Sequence, residues 1–154
     1  MNGYLMDTNH VAAWEEDNPS VLAKMKSLPE DTLICASAVT LGEIAAGHQM
    51  TQGDPRRHQQ VRNFLNIEVI PYAVLISHGT APYYGEIIGR IWKRYSPPKP
   101  AIKTEVHLVN LGVDINDVWI VACAWEHGLT LVTRDAMSCI KEVVIPDVQW
   151  ESWL

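Results

Sequence analysis

Apolar residues along this chain fall into two kinds of run. Short continuous blocks at Tyr4-Leu5-Met6, Leu33-Ile34-Cys35-Ala36 and Leu129-Thr130-Leu131-Val132-Thr133 have strand length. Glu68-Val69-Ile70, stopped by Pro71, reads as a further strand, and Val143-Val144-Ile145 and Val148-Gln149-Trp150 as short extended pieces. Between them the spacing turns helical. Val11, Ala12, Ala13 and Trp14 follow Thr8, which is placed as a cap. A second helix is expected from Ser20 to Leu28, ended by Pro29. Thr40-Leu41-Gly42-Glu43 has the form of a capping box opening a helix over Leu41–Met50. Further helices are expected over Arg56–Leu65 and Ala81–Tyr95. Another is opened by Asp114 or Asn116, runs from Val118 to His127, and is closed by Gly128 in a left-handed cap. Strands and helices alternate, which predicts an α/β fold: a central, mainly parallel sheet covered by helices on both faces.

Length permits one domain, 1–154, and 47% hydrophobic residues permit a substantial core. Ser96-Pro97-Pro98-Lys99-Pro100 interrupts the helical pattern of the 72–110 segment and reads as a surface loop within that domain. Cys35, Cys123 and Cys139 are odd in number and show no metal or redox spacing, so Cys35 and Cys123 read as small buried hydrophobes. The first acid, Asp7, comes too early for a secretory apolar stretch, and no apolar run has membrane-spanning length. A cytoplasmic protein is the expectation.

The acids then change the picture. Asp7 follows the first strand, and Glu43 comes early in the helix after the second. Asp117 begins the helix before the last long strand, and Asp135 lies just past that strand. In an open parallel sheet the carboxyl ends of the strands share one crevice, where ligands bind. Two ionised carboxylates about 5 Å apart repel by roughly 3 kcal/mol at an effective dielectric of about 20. Four together must hold protons or a cation, and all-oxygen donors suit magnesium or manganese. Each acid also has a structural reading: Glu43 as the end of a capping box, Asp117 as a helix N-terminal acid, Asp7 and Asp135 as turn residues. Asp114 competes with Asp117 at the same helix start, and spacing leaves the two open.

Leu5-Met6-Asp7-Thr8-Asn9 resembles the opening motif of PIN domains, and Thr40–Gly47 their Glu-centred second motif. Asn116–Ala124 resembles the third motif and Leu131-Val132-Thr133-Arg134-Asp135 the last. In order and size the chain is most similar to the VapC-type toxins of that family. The resemblance implies a three-layer α/β/α domain and a Mg2+- or Mn2+-dependent endoribonuclease, homodimeric and inhibited by a cognate antitoxin. It implies Asp7, Glu43, Asp117 and Asp135 as catalytic, metal-binding acids, favouring Asp117 over Asp114. It makes Asn9, Asn116 and Thr133 supporting groups. The chain departs from the family in its longer 72–110 segment.

A net charge of −6 is a poor global footprint for an RNA-binding protein, so any RNA contact must be local. Arg56, Arg57 and Arg62 form one basic group. Arg90, Lys93, Arg94, Lys99 and Lys103, interleaved with Trp92 and Tyr95, form another. Arg134 and Arg94 are the substrate-contact candidates, with a solvated helix face as the simpler reading of the basic groups. His10 lies nearest a motif and reads as a polar helix position. A phosphatase using Asp7 as nucleophile would want a second acid where Asn9 stands. An inactive PIN-like binding module is the alternative to an active enzyme.

Overall fold

A computed structural model of the chain describes residues 3–99 and 101–154, so Pro100 of the proline-rich interruption lies outside the described residues, as do Met1 and Asn2. Strand β1 spans Gly3–Met6, β2 Leu33–Ala36, β3 Thr130–Val132 and β4 Trp150–Glu151. They lie in the order β2-β1-β3-β4 with every pair parallel. Leu5 stands opposite Cys35 and Leu131, and Met6 opposite Ala36 and Val132. Successive side chains on a strand point to opposite faces. Leu5, Cys35 and Leu131 therefore enter one core, and Met6, Ala36 and Val132 another.

Among the described residues, eight α-helices cover the sheet: α1 (Thr8–Glu15), α2 (Pro19–Ser27), α3 (Ala38–Met50), α4 (Pro55–Phe64), α5 (Ala81–Arg94), α6 (Thr104–Asn110), α7 (Ile115–Glu126) and α8 (Ser138–Val144). The first core takes Ile87 and Ile91 from α5, Val118 and Val121 from α7, and Ile140 and Val144 from α8. The second takes Val11 from α1 and Val21 from α2, flanked by Leu41 and Ile44 of α3 and Phe64 of α4. An all-parallel sheet needs both faces buried, and this one has them. The architecture is the expected three-layer α/β/α arrangement. Among the described residues no single helix is long and apolar enough to cross a membrane.

Several boundaries differ from expectation, each for a local reason. Asp7, not Thr8, caps α1: its carboxylate accepts the His10 N–H at 2.8 Å. Helix α2 starts one residue early because Asn18 caps it ahead of Pro19. Helix α3 starts at Ala38 because Ser37 Oγ accepts the Thr40 N–H at 3.1 Å. The capping box does not form, and Glu43 sits in the second turn with its carboxylate free for other work. Glu68-Val69-Ile70 is not a strand. The backbone of α4 continues into a π-helical turn, Leu65–Val69, and a 3-10 turn, Ile70–Tyr72. The edge of β2 is met instead by a single bridge, with Val74 N–H donating to Ala36 C=O at 2.9 Å. Val143 and Val144 end α8 rather than forming a strand, because with Ile140 they make an apolar face at helical spacing. Trp150 opens β4, which runs on to Glu151 rather than back to Val148, and it pairs with Leu131 of β3.

Candidate active site

Every candidate acid is delivered to one end of the sheet. Asp7 leaves the carboxyl end of β1, and its backbone N–H donates to Val132 C=O of β3 at 3.0 Å. Helix α3 begins at the carboxyl end of β2 and carries Glu43; Asp135 lies three residues beyond the end of β3. Helix α7 leads into β3, so its first turn, with Asp117, lies at that same end. Asp7, Glu43, Asp117 and Asp135 line one cavity of about 250 Å³, and Asp114 lines it with them. Among the described residues no lysine or arginine does so. The choice between Asp114 and Asn116 as cap of α7 falls to Asp114, whose carboxylate accepts the Asn116 N–H at 2.7 Å.

The neighbouring polar side chains hold these acids apart and in place. Asn9 Nδ2 donates to Asp135 Oδ2 at 3.2 Å, and Asn116 Nδ2 to Glu43 Oε1 at 3.0 Å. The Thr8 hydroxyl donates to Glu43 Oε2, a contact that the sequence reading missed because it cast Thr8 as a cap. Thr133 Oγ1 accepts the Asp135 N–H at 3.0 Å and so shapes the turn after β3. As they stand, no three Asp, Glu, His or Cys side chains among the described residues are gathered closely enough to enclose an ion. The acids form an open ring.

The electrostatics show what this ring lacks. Burial, and then the charges of Asp114, Glu43, Asp135 and Asp7, push the Asp117 carboxyl from 3.8 up to about 6. Asp7 is 3% exposed, and its Oδ2 is buried without a hydrogen-bond partner. Buried polar atoms are nearly always paired, so an orphan carboxylate oxygen marks a place for a cation, a proton or a water. The donors are all oxygens, and positive charge is absent from the lining of the cavity. These residues fit a hard divalent cation.

The remaining candidates lie elsewhere. Arg134 is exposed and lines an adjoining cavity of about 380 Å³ together with Asp135, Lys141 and Trp150. Arg94 does not line the acid cavity; it pairs with Glu142 of α8 at 3.1 Å. Arg90 is likewise engaged, by Glu86 and Asp147. His10 is the helix position expected, in α1, and it is wholly buried. Cys35 and Cys123 are buried as expected, with thiols pushed up to about 12 and about 11, chiefly by desolvation. They are poor nucleophiles at neutral pH.

The model of the PIN domain family matches residues 4–143, and the chain belongs to that family. Its fold is shared with solved VapBC structures. One is VapBC2 from Rickettsia felis bound to a DNA fragment from their promoter, at 22% identity, 99% coverage of each chain and a TM-score of 0.68. DNA-bound VapBC from Salmonella typhimurium matches at 19% identity, 100% coverage of each chain and a TM-score of 0.70. VapBC-5 from Mycobacterium tuberculosis, a member of the VapBC family of toxin–antitoxin systems, matches at 17% identity, covering 99% of this chain and 98% of that one, with a TM-score of 0.56. No curated protein sequence matches at a significant level.

Proposed function

We propose that this chain is a divalent-metal-dependent endoribonuclease and the toxin of a toxin–antitoxin pair. The observation that carries the reading is the acid ring: five carboxylates on one cavity, with the buried Oδ2 of Asp7 unpartnered. Asp7, Glu43, Asp117 and Asp135 would hold Mg2+ or Mn2+ through oxygens that face this cavity. Such a cation, when bound, supplies the charge that lets these acids ionise together and the Lewis acidity that phosphodiester hydrolysis needs. Asn9 and Asn116 keep Asp135 and Glu43 aimed at the cavity, and Thr133 holds the turn that carries Asp135. Arg134, beside that turn, is the residue best placed to meet an RNA phosphate, while Arg94 is already paired.

The phosphatase reading loses ground on the geometry, because the Asn9 amide is bound to Asp135 and no second acid stands beside Asp7 in its place. An antitoxin partner is supported by the VapBC assemblies that share the fold. Homodimer formation would help cover exposed apolar side chains such as Ile67 and Leu75, each 68% exposed.

The test is cleavage of total bacterial RNA by purified, antitoxin-free protein in Mg2+, Mn2+ or chelator, with new 5′ ends mapped. Discrete metal-dependent cuts are expected. Asp117→Asn should lower them by about 100-fold or more, equivalent to about 3 kcal/mol of transition-state stabilisation. No cuts in any metal, from folded protein, would leave the inactive binding module as the better description.

A further inference from the structure

His10 is buried to 0% exposure inside the domain, yet its ring makes two polar contacts. Its Nε2 accepts the backbone N–H of Trp153 at 3.2 Å. A ring nitrogen that accepts cannot carry the proton, so the proton sits on Nδ1. Nδ1 lies 2.8 Å from Asp7 Oδ1 and donates to it. The same Oδ1 already accepts the backbone N–H of His10 at 2.8 Å, which is all that capping α1 requires. One oxygen of Asp7 thus has two donors while the other, equally buried, has none.

The far end of this contact is itself anchored. Trp153 is buried, packs edge-on against Tyr4 with ring centroids 5.1 Å apart, and donates its indole N–H to Glu151 Oε2 at 2.9 Å. The line from Tyr4 and Glu151 through Trp153 and His10 to Asp7 therefore connects the edge strand β4 to an acid at the end of the central strand β1.

We propose that His10 is a positioning residue of the acid site: its imidazole clamps Asp7 Oδ1 against the Trp153 backbone and so leaves Oδ2 fixed and free for a cation. The inference rests on the metal-dependent reading above. An acid that binds a metal is held by hydrogen bonds to its other oxygen, and losing such a partner weakens metal binding about 10- to 100-fold. A histidine serving only to fill the core would not need Nδ1 on the oxygen that the backbone already caps.

Mn2+ binding, measured by calorimetry with the metal alone, tests this on the wild-type chain and three variants. In His10→Asn the amide nitrogen occupies the place of Nδ1, so the donor to Oδ1 survives although the Trp153 anchor is lost, and affinity should stay closer to wild type than in the other two variants. In His10→Gln and His10→Phe the donor to Oδ1 is lost, and affinity should fall about 10- to 100-fold. Activity should return at high Mn2+ with the KM for RNA unchanged. A core role alone would instead rank the variants by melting temperature and leave Mn2+ affinity level among those that fold. Wild-type binding with unchanged affinity in the Gln and Phe variants would overturn the inference and spare the metal reading. No Mn2+ binding by wild type would overturn both. The ring nitrogens of the wild-type protein give a check that needs no variant: nitrogen-15 spectra should show His10 protonated on Nδ1 alone, and an Nε2–H tautomer would overturn the clamp.

Discussion

Asp117 shows how one residue reports on its neighbours. Its carboxyl is raised from 3.8 to about 6 by burial and by four other acids, Asp114 first among them. The folded, metal-free chain therefore binds this proton more tightly than the unfolded chain does. The stability that the group contributes is complete below about pH 3.8 and is lost as pH rises through about 6. Because Asp117 is only partly buried, solvent screening keeps the effect modest. In chelator, the melting temperature of wild type relative to Asp117→Asn should fall between about pH 4 and about pH 6.5 and level off above, leaving the variant the more stable at neutral pH while it loses cleavage. Thermal melts of both proteins across that range are the check, and parallel profiles would contradict the crowding of acids described above.

At the scale of elements, the end of α7 illustrates a signal that is both local and strict. Gly128 has φ +62°, and its N–H donates to Trp125 C=O at 3.2 Å while Leu129 N–H donates to Ala124 C=O at 2.9 Å. This pair of bonds is the Schellman closure, and it turns the chain directly into β3. A Cβ added at Gly128 would meet nothing within 4 Å, so only the backbone conformation opposes a side chain there. Gly128→Ala should cost about 1–2 kcal/mol, read as a lower denaturant midpoint at unchanged slope, with cleavage intact. No change in the midpoint would mean that the left-handed cap is not maintained in solution. The caps of α1, α2 and α3 were harder to place, because Asp7, Asn18 and Ser37 each stand one to three residues from an equally plausible capping residue.

For the whole molecule the decisive fact is the parallel order β2-β1-β3-β4, which brings acids from residues 7 to 135 to one end of the sheet. Only the folded chain assembles that ring, so a cation that binds it stabilises the native state alone. Mn2+ at about 100 times its Kd should add about 2.7 kcal/mol to stability. The measurement is the shift in melting temperature against a sodium control of equal ionic strength, and the shift should largely vanish in Asp117→Asn. An equal shift in both proteins would place the ion somewhere other than the acid ring.

Local pattern determined much of this protein: three of the four strands by their short apolar blocks, α7 by its polar start and glycine stop, and the four motif acids by their place after strands or at helix starts. It mistook Glu68–Ile70 for a strand and Val143–Ile145 for an extended piece, since two or three β-branched residues in a row fit either period and only packing against Leu65 or Ile140 chooses between them. Contacts across long sequence distances were beyond it. Thr8 meets Glu43, Asn116 meets Glu43, and His10 meets Trp153 because sheet register and helix packing bring them together. The sequence named the acids; tertiary structure decided that Asp114 stands among them, that one oxygen of Asp7 is held twice, and that the other has no hydrogen-bond partner. Residue type sets which chemistry a side chain offers, but which atoms are satisfied and which are not depends on neighbours supplied by the rest of the fold.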